Sequence, residues 1–278
     1  MNAVKIATYN IWGFNEPWRY TLNHGLVRGA VPGSMASTNR SPSIWSRRCR
    51  LIVQALNEAQ PDVIGLQEVR EFPEQPGVHQ AEQIAHDLGY HCAFAPLISD
   101  ENDQERFVQG LAVLSCYEIR ETHVIKLKAA GSATDWQQSV LHTVINTPQK
   151  ALHLLTCHLT PRSEDAQLAA VEHILRYLAT LPADQPRIVV GDFNAVPSSP
   201  TIQRMTEVQA GLHDAWQEAH PVDGGPTMPS ELPTHRLDYI FIGNSFQIQA
   251  VERLGTRPDQ DGFYPSDHLG VAATLHCF

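Results

Sequence analysis

Short β-branched or apolar runs alternate along this chain with segments whose apolar residues recur every three or four positions. The runs 4–10, 63–67, 110–115, 141–146, 151–158, 187–191, 237–242 and 270–275 have the composition and length of strands. Three segments predict helices. In 44–59, Ile44, Arg47, Leu51, Ile52, Ala55 and Leu56 keep one apolar face, and Gln60 and Pro61 end it because proline cannot continue a helix. Segment 79–88 is closed by Gly89. Segment 163–181 begins on a capping Ser163, carries Glu164 and Asp165 in its first turn, and sets Leu168, Val171, Ile174, Leu175 and Leu178 on one side to dock on a sheet. Strands outnumber helices and 110–158 reads as consecutive hairpins, which predicts one mixed α/β domain over 1–278 with much antiparallel pairing. Two polar stretches, 13–43 and 222–234, are long for connections in a compact domain, a length that often accompanies function.

Composition narrows the classes. The chain has 278 residues, 42% of them hydrophobic and 18% charged, enough to bury a sizeable core and too apolar for disorder. No apolar run approaches the roughly 20 residues that span a bilayer, and no export signal opens the sequence, so a soluble cytoplasmic protein is expected. Five scattered cysteines without a C-x-x-C pair suggest buried free thiols rather than a disulfide framework or a zinc site. Twenty Lys and Arg against thirty Asp and Glu give a net charge of −10, which disfavours long-range attraction of a long nucleic-acid duplex. A phosphate-bearing substrate would need local groups or a cation to hold it.

Those local groups emerge from what ends each strand. Asn10, Glu68, His158, Asp192 with Asn194, Asp238, and Asp267 with His268 all sit at the rim of an apolar run. Each is ordinary alone; together they supply the carboxylate and amide oxygens that suit Mg²⁺ or Mn²⁺, and imidazoles for proton transfer.

The stretches Thr8-Tyr9-Asn10-Ile11-Trp12-Gly13, Pro61-Asp62-Val63-Ile64-Gly65-Leu66-Gln67-Glu68-Val69, Gly110-Leu111-Ala112-Val113-Leu114-Ser115, His158-Leu159, Gly191-Asp192-Phe193-Asn194, Arg236-Leu237-Asp238-Tyr239-Ile240-Phe241 and Ser266-Asp267-His268 resemble, in order, the motifs of the DNase I-like endonuclease/exonuclease/phosphatase family. The resemblance implies a four-layer α/β/β/α sandwich of two packed mixed sheets flanked by helices. It also implies a divalent-metal-dependent hydrolase of phosphoesters, foremost a phosphodiesterase or nuclease. By the same resemblance Asn10, Glu68 and Asp267 would hold Mg²⁺, with Mn²⁺ as a substitute. Asp192 would orient or deprotonate water, Asn194 would hydrogen-bond the phosphate, His268 with Asp238 would form an imidazole–carboxylate pair, and His158 would stabilise the transition state from the other side.

Departures from the family's branches refine this expectation. Trp12 stands where abasic-site nucleases typically carry a metal-binding Asp, and Asp238-Tyr239 where inositol-polyphosphate phosphatases carry Asp-Arg. Substrate contacts are expected from Trp18 and Arg19 in the first long loop and from Arg162 and Arg236 beside the motifs, on a phosphoester that includes nucleotides or nucleic acid. Arg47, Arg48 and Arg50 add to a locally basic rim. No obligatory protein partner is evident. A phospholipid or inositol-phosphate phosphoesterase of the same fold, sphingomyelinase-like, and a non-catalytic phospho-ligand module are the alternatives. No H-E-x-x-H, G-x-S-x-G or P-loop motif points to another class.

Overall fold

The computed structural model describes residues 3–13, 21–22, 25–26, 42–72, 77–99, 108–127 and 138–278. In chain order the elements are β1 (Ala3–Asn10), β2 (Thr21–Leu22), β3 (Gly25–Leu26), α1 (Pro42–Ala59), β4 (Val63–Arg70), α2 (Gln80–Leu88), β5 (His91–Ser99), β6 (Val108–Ser115), β7 (Ile119–Lys126), β8 (Ser139–Asn146), β9 (Ala151–His158), α3 (Glu164–Leu178), β10 (Arg187–Asp192), α4 (Pro200–Met205), β11 (Leu212–Asp214), α5 (Ala215–Ala219), β12 (Asp238–Gly243), β13 (Phe246–Leu254) and β14 (Gly270–Cys277). Two six-stranded sheets form, in the orders β13-β14-β1-β4-β6-β5 and β11-β12-β10-β9-β8-β7. Both are mixed: β1 runs parallel to β4 and β9 parallel to β10, while the other neighbours are antiparallel.

Three apolar layers hold four structural ones. Val4, Ile6, Val63 and Val113 of the first sheet meet Leu154, Ile188, Val190 and Ile240 of the second in the central layer. Trp45, Cys49, Ile52 and Leu56 of α1, with Ile84 of α2, cover the first sheet's outer face over Tyr9, Ile64 and Leu66. Val171, Ile174 and Leu178 of α3 cover the second over Leu155, Val189 and Phe241. The α/β/β/α sandwich is thus formed.

The predicted strands are present, and the missed ones explain themselves. β7 carries mostly exposed, polar residues along its length, so no apolar alternation marks it, and in β13 the alternation of Phe246, Ile248 and Ala250 with Gln247 and Gln249 is broken at the irregularity in its pairing with β14 between Ile248 and Ala250. β5 is an edge strand containing Pro96, beside an irregularity in its pairing with β6. The stretch 110–158 is not a run of hairpins in one sheet, because β6 lies in the first sheet and β7 in the second. Cys49 and Cys157 are buried free thiols as expected, but Cys92 and Cys116 are exposed, a correction that follows from edge and turn positions with little covering them.

On the second sheet His142 is buried, its Nε2 2.9 Å from His153 Nδ1 and its Nδ1 2.9 Å from the Tyr177 hydroxyl. Burial, then the neighbouring His153 and His123, push it down to about 4. A histidine depressed in the fold contributes no pH dependence above its ordinary 6.5, and it withdraws stability as the pH falls from 6.5 towards about 4. The loss is roughly 3 kcal/mol at most. Urea unfolding at both ends of that window should show a smaller acid loss in His142→Phe than in the wild type; equal losses would remove His142 from the acid response.

Candidate active site

Side chains alternate between the two faces of a strand, so every second residue of the central strands points into the layer between the sheets. Along β1 that inward row runs Ile6, Thr8, Asn10; along β9, Leu154, Thr156, His158; along β10, Ile188, Val190, Asp192; along β12, read backwards, Ile242, Ile240, Asp238. Each row begins apolar and turns polar at the same edge. Parallel pairing of β9 with β10 sets His158 opposite Asp192, and antiparallel pairing of β10 with β12 sets Asp238 on Asp192's other side. The residues that the sequence left at separate strand ends therefore stand in one line across three strands.

Thr8 and Gln67 from the first sheet and Thr156 from the second join beneath this line, with Thr8 Oγ1 donating to Gln67 Oε1 at 3.2 Å and Gln67 Nε2 to Thr156 Oγ1 at 3.0 Å. Above it, the Asn10 amide bridges the sheets, its Nδ2 lying 3.0 Å from both Glu68 Oε1 and Asp192 Oδ2. Glu68 occupies an irregularity in the β4–β6 pairing between Leu66 and Val69, with φ of +57°. A β-bulge with a left-handed residue re-aims a side chain at a cost that isolated strands do not accept. Gly13 packs on that bulge so closely that a Cβ would lie 2.2 Å from the Glu68 carbonyl oxygen.

His268 completes the cluster. Its Nδ1 lies 2.9 Å from Asp238 Oδ2, which also accepts the Thr227 hydroxyl at 2.6 Å, and its Nε2 faces Asp192 Oδ2 at 3.8 Å. His158 Nε2 approaches the same oxygen to 3.5 Å. The backbone N–H of Asn194 donates to Asp192 Oδ1 at 2.8 Å, closing a tight turn in which Asn194 has φ of +49° and its amide Nδ2 holds the Leu159 carbonyl at 2.8 Å. Burial opposes a charge on His268, yet Asp238, Asp192 and Asp267 outweigh it and hold the imidazole well above its ordinary value. Glu68 is pushed upward, burial being the main cause; His158 opposes the rise and Asp267 adds to it, while the Asn10 amide and His268 pull against it.

Among the described residues, Asp192, Asp238 and His268 offer ligand atoms within 4.8 Å of one another. Asp238 and His268 Nδ1 are already committed to each other, with Thr227 adding a further hydrogen bond to Asp238. A partly buried Glu68 beside Asp267, desolvated and raised, is by contrast a carboxylate whose charge a hard cation would relieve. The donor set of Glu68, Asn10 and Asp267 therefore fits Mg²⁺ or Mn²⁺ by chemistry and by electrostatics.

Not every expected residue joins this cluster. Arg236 is buried, and Asp214 grips its guanidinium at 2.7 and 3.1 Å while also capping α5; it faces the interior and not a substrate. Arg236→Ala should cost about 3–5 kcal/mol in urea unfolding by stranding Asp214, with KM unchanged in the folded fraction; a raised KM at unaltered stability would restore it to the substrate rim. Arg47 is held by Asp259 and Asp261, and Arg48 is buried, so the basic rim contracts. Arg162 is exposed on the turn after His158. Trp18 and Arg19 lie outside the described residues. Thr227, which steadies Asp238, and Gln67, which links the sheets, were missed. Thr227 sits in a Pro- and Gly-rich loop with no periodic signal, whereas Gln67 directly precedes Glu68 and could have been read with it.

A family model for the endonuclease/exonuclease/phosphatase family matches residues 7–268, nearly the whole chain. The chain belongs to that family. Similar proteins include Nocturnin of Xenopus laevis, 26% identical over 257 residues that cover 82% of this chain and 63% of that protein, and Protein angel of Drosophila melanogaster, 24% identical over 214 residues that cover 73% and 55%. The chain thus spans less than two thirds of the length of these relatives. Among solved structures, the human Nocturnin catalytic domain with bound sulfate anion aligns with a TM-score of 0.72 at 20% identity, covering 99% of this chain and 95% of that one. Humanized D. rerio TDP2 aligns at 0.70 and 18%, covering 99% of each chain, and an endonuclease/exonuclease/phosphatase from Beutenbergia cavernae at 0.73 and 22%, covering 100% and 72%. At these identities the structures establish the DNase I-like fold that the family member shares.

Proposed function

We propose that this family member is a divalent-metal-dependent phosphoester hydrolase that acts on phosphodiesters by in-line attack of water. The observation that carries the reading is the buried Asp238–His268 pair set against Asp192, with Asn10 tying Asp192 to Glu68 across the two sheets. Glu68, Asn10 and Asp267 would hold Mg²⁺ or Mn²⁺, which when bound supplies Lewis-acid neutralisation of a phosphate oxygen. The human Nocturnin domain of the same fold carries a sulfate, a tetrahedral oxyanion shaped like phosphate.

The remaining work falls to the protein's own groups. Asp192, fixed by Asn10 on one oxygen and by the Asn194 N–H on the other, orients water and accepts its proton. Asp238 occupies His268 Nδ1, so Nε2 is the edge that meets the phosphate, and the imidazolium form favoured here donates a charge-assisted hydrogen bond to it. His158 faces Asp192 from the neighbouring strand and would stabilise the developing charge from the opposite side. The second amide hydrogen of Asn194 and the exposed Arg162 are proposed as phosphate contacts. A panel of bis-p-nitrophenyl phosphate, p-nitrophenyl phosphate, single-stranded DNA, RNA and sphingomyelin tests the substrate class. Preference for the diester dye and the nucleic acids supports the reading; turnover of sphingomyelin alone would move the protein to the phospholipid alternative.

A further inference from the structure

Helix α1 presents Trp45, Cys49, Ile52 and Leu56 to the first sheet, and Arg48 shares that buried side. Its side chain is completely buried, an expensive place for a charge unless its donors are filled. They are filled by backbone carbonyls from two separate loops. Nε donates to Pro265 O at 2.9 Å, one terminal nitrogen to Trp12 O at 2.7 Å and the other to Ile11 O, while the guanidinium lies 4.9 Å from the Trp12 ring centroid and 5.9 Å from that of Trp45.

Those carbonyls have a particular place in the fold. Ile11 and Trp12 directly follow Asn10, and Pro265 directly precedes Ser266, Asp267 and His268. We propose that Arg48 is a positioning residue whose planar fork holds the Asn10 turn against the Asp267–His268 turn, so that the cation-binding and imidazole halves of the site keep their spacing. This rests on the reading of Glu68, Asn10 and Asp267 as cation ligands.

The path from Arg48 to those ligands is short and made of direct contacts. Trp12 has φ of +49°, a conformation that a bulky residue adopts only when held, and it is held twice: by Arg48 on its carbonyl and by Asn10 Oδ1 on its N–H at 3.0 Å. The same Asn10 side chain turns its Nδ2 to Glu68 and Asp192. The next residue, Gly13, packs on the Glu68 backbone. On the far side Ser266 Oγ donates to Asn10 O at 2.7 Å, a second tie across the gap that Arg48 spans. Lysine keeps the charge and most of the reach but offers one ammonium in place of a three-direction fork, so it cannot hold three carbonyls in a plane.

The test compares Mn²⁺ binding, by the EPR signal of the free ion, for wild type, Arg48→Lys and Arg48→Ala, alongside circular dichroism and thermal unfolding. A residue that only stabilises the core would lower Tm and leave Mn²⁺ affinity unaltered in the folded protein. The proposal expects both folded variants to bind Mn²⁺ more weakly by roughly 10–100-fold, the scale of groups that orient metal ligands. It also expects millimolar guanidinium chloride, and not equal sodium chloride, to restore part of the affinity of Arg48→Ala. Wild-type affinity in either folded variant overturns the role of Arg48 while leaving the cation reading intact. Failure of both variants to fold overturns it as well, because the claim is of positioning on an intact fold. Absence of Mn²⁺ binding in the wild type removes the cation reading and this inference with it.

Discussion

Asp192→Asn is expected to lower kcat on a phosphodiester by roughly 10²–10⁴-fold, the range carried by a positioned proton acceptor, with the fold intact. The substitution keeps the shape and one carbonyl oxygen to receive the Asn194 N–H, so the tight turn survives, while the hydrogen bond that Asn10 Nδ2 gives to Oδ2 is lost. It removes the charge that faces His158 and His268 and the atom that can take a proton. The side chain is buried at the centre of the line formed by β9, β10 and β12, so water offers no substitute base from bulk. Steady-state kinetics on purified protein, with circular dichroism as the fold control, decide it. A folded variant with near-normal kcat would displace Asp192 from the role of base.

Glu68→Gln should produce the second large effect, on cation affinity. The amide retains an oxygen for Asn10 Nδ2 but lacks the charge that a hard cation requires. Because outer partners of metal ligands carry about 10–100-fold in affinity, loss of a direct carboxylate ligand is expected to exceed that. The metal-free variant should be no less stable than the wild type, since burial already works against the Glu68 charge. A carboxylate held where it costs stability is what a binding site shows and a structural ion pair does not. Equal Mn²⁺ affinity in Glu68→Gln, or a clear loss of stability without loss of affinity, would contradict this assignment.

The sequence exposed the chemistry of the site better than its support. Strand ends carrying Asn10, His158, Asp192 and Asp238 were legible because an apolar run that stops on a polar residue is a local signal, and two-residue periodicity then dictates which face that residue shares. The pairing that brings them into one line is non-local and could only be inherited from the family's fold. Arg236 looked like a substrate contact because it adjoins Asp238 in sequence; its partner, Asp214, lies 22 positions away and on another strand. Arg48 was read with Arg47 and Arg50 as part of a basic rim, although its place between Trp45 and Ile52 puts it on the apolar face of α1. Its carbonyl partners, at Ile11, Trp12 and Pro265, carry no side-chain signature at all. The net charge of −10 changes meaning in the same way: Glu68, Asp192, Asp238 and Asp267 are drawn to one edge of the sandwich, where they face two imidazoles and would hold the proposed cation.

The most direct test of the account measures initial rates of bis-p-nitrophenyl phosphate hydrolysis as Mg²⁺ is titrated into EDTA-treated protein, with wild type and Asp192→Asn purified side by side. Hydrolysis that is absent in EDTA, returns with Mg²⁺ in the wild type and stays near background in Asp192→Asn is the result predicted. Hydrolysis that persists in EDTA, or returns equally in both proteins, would contradict it.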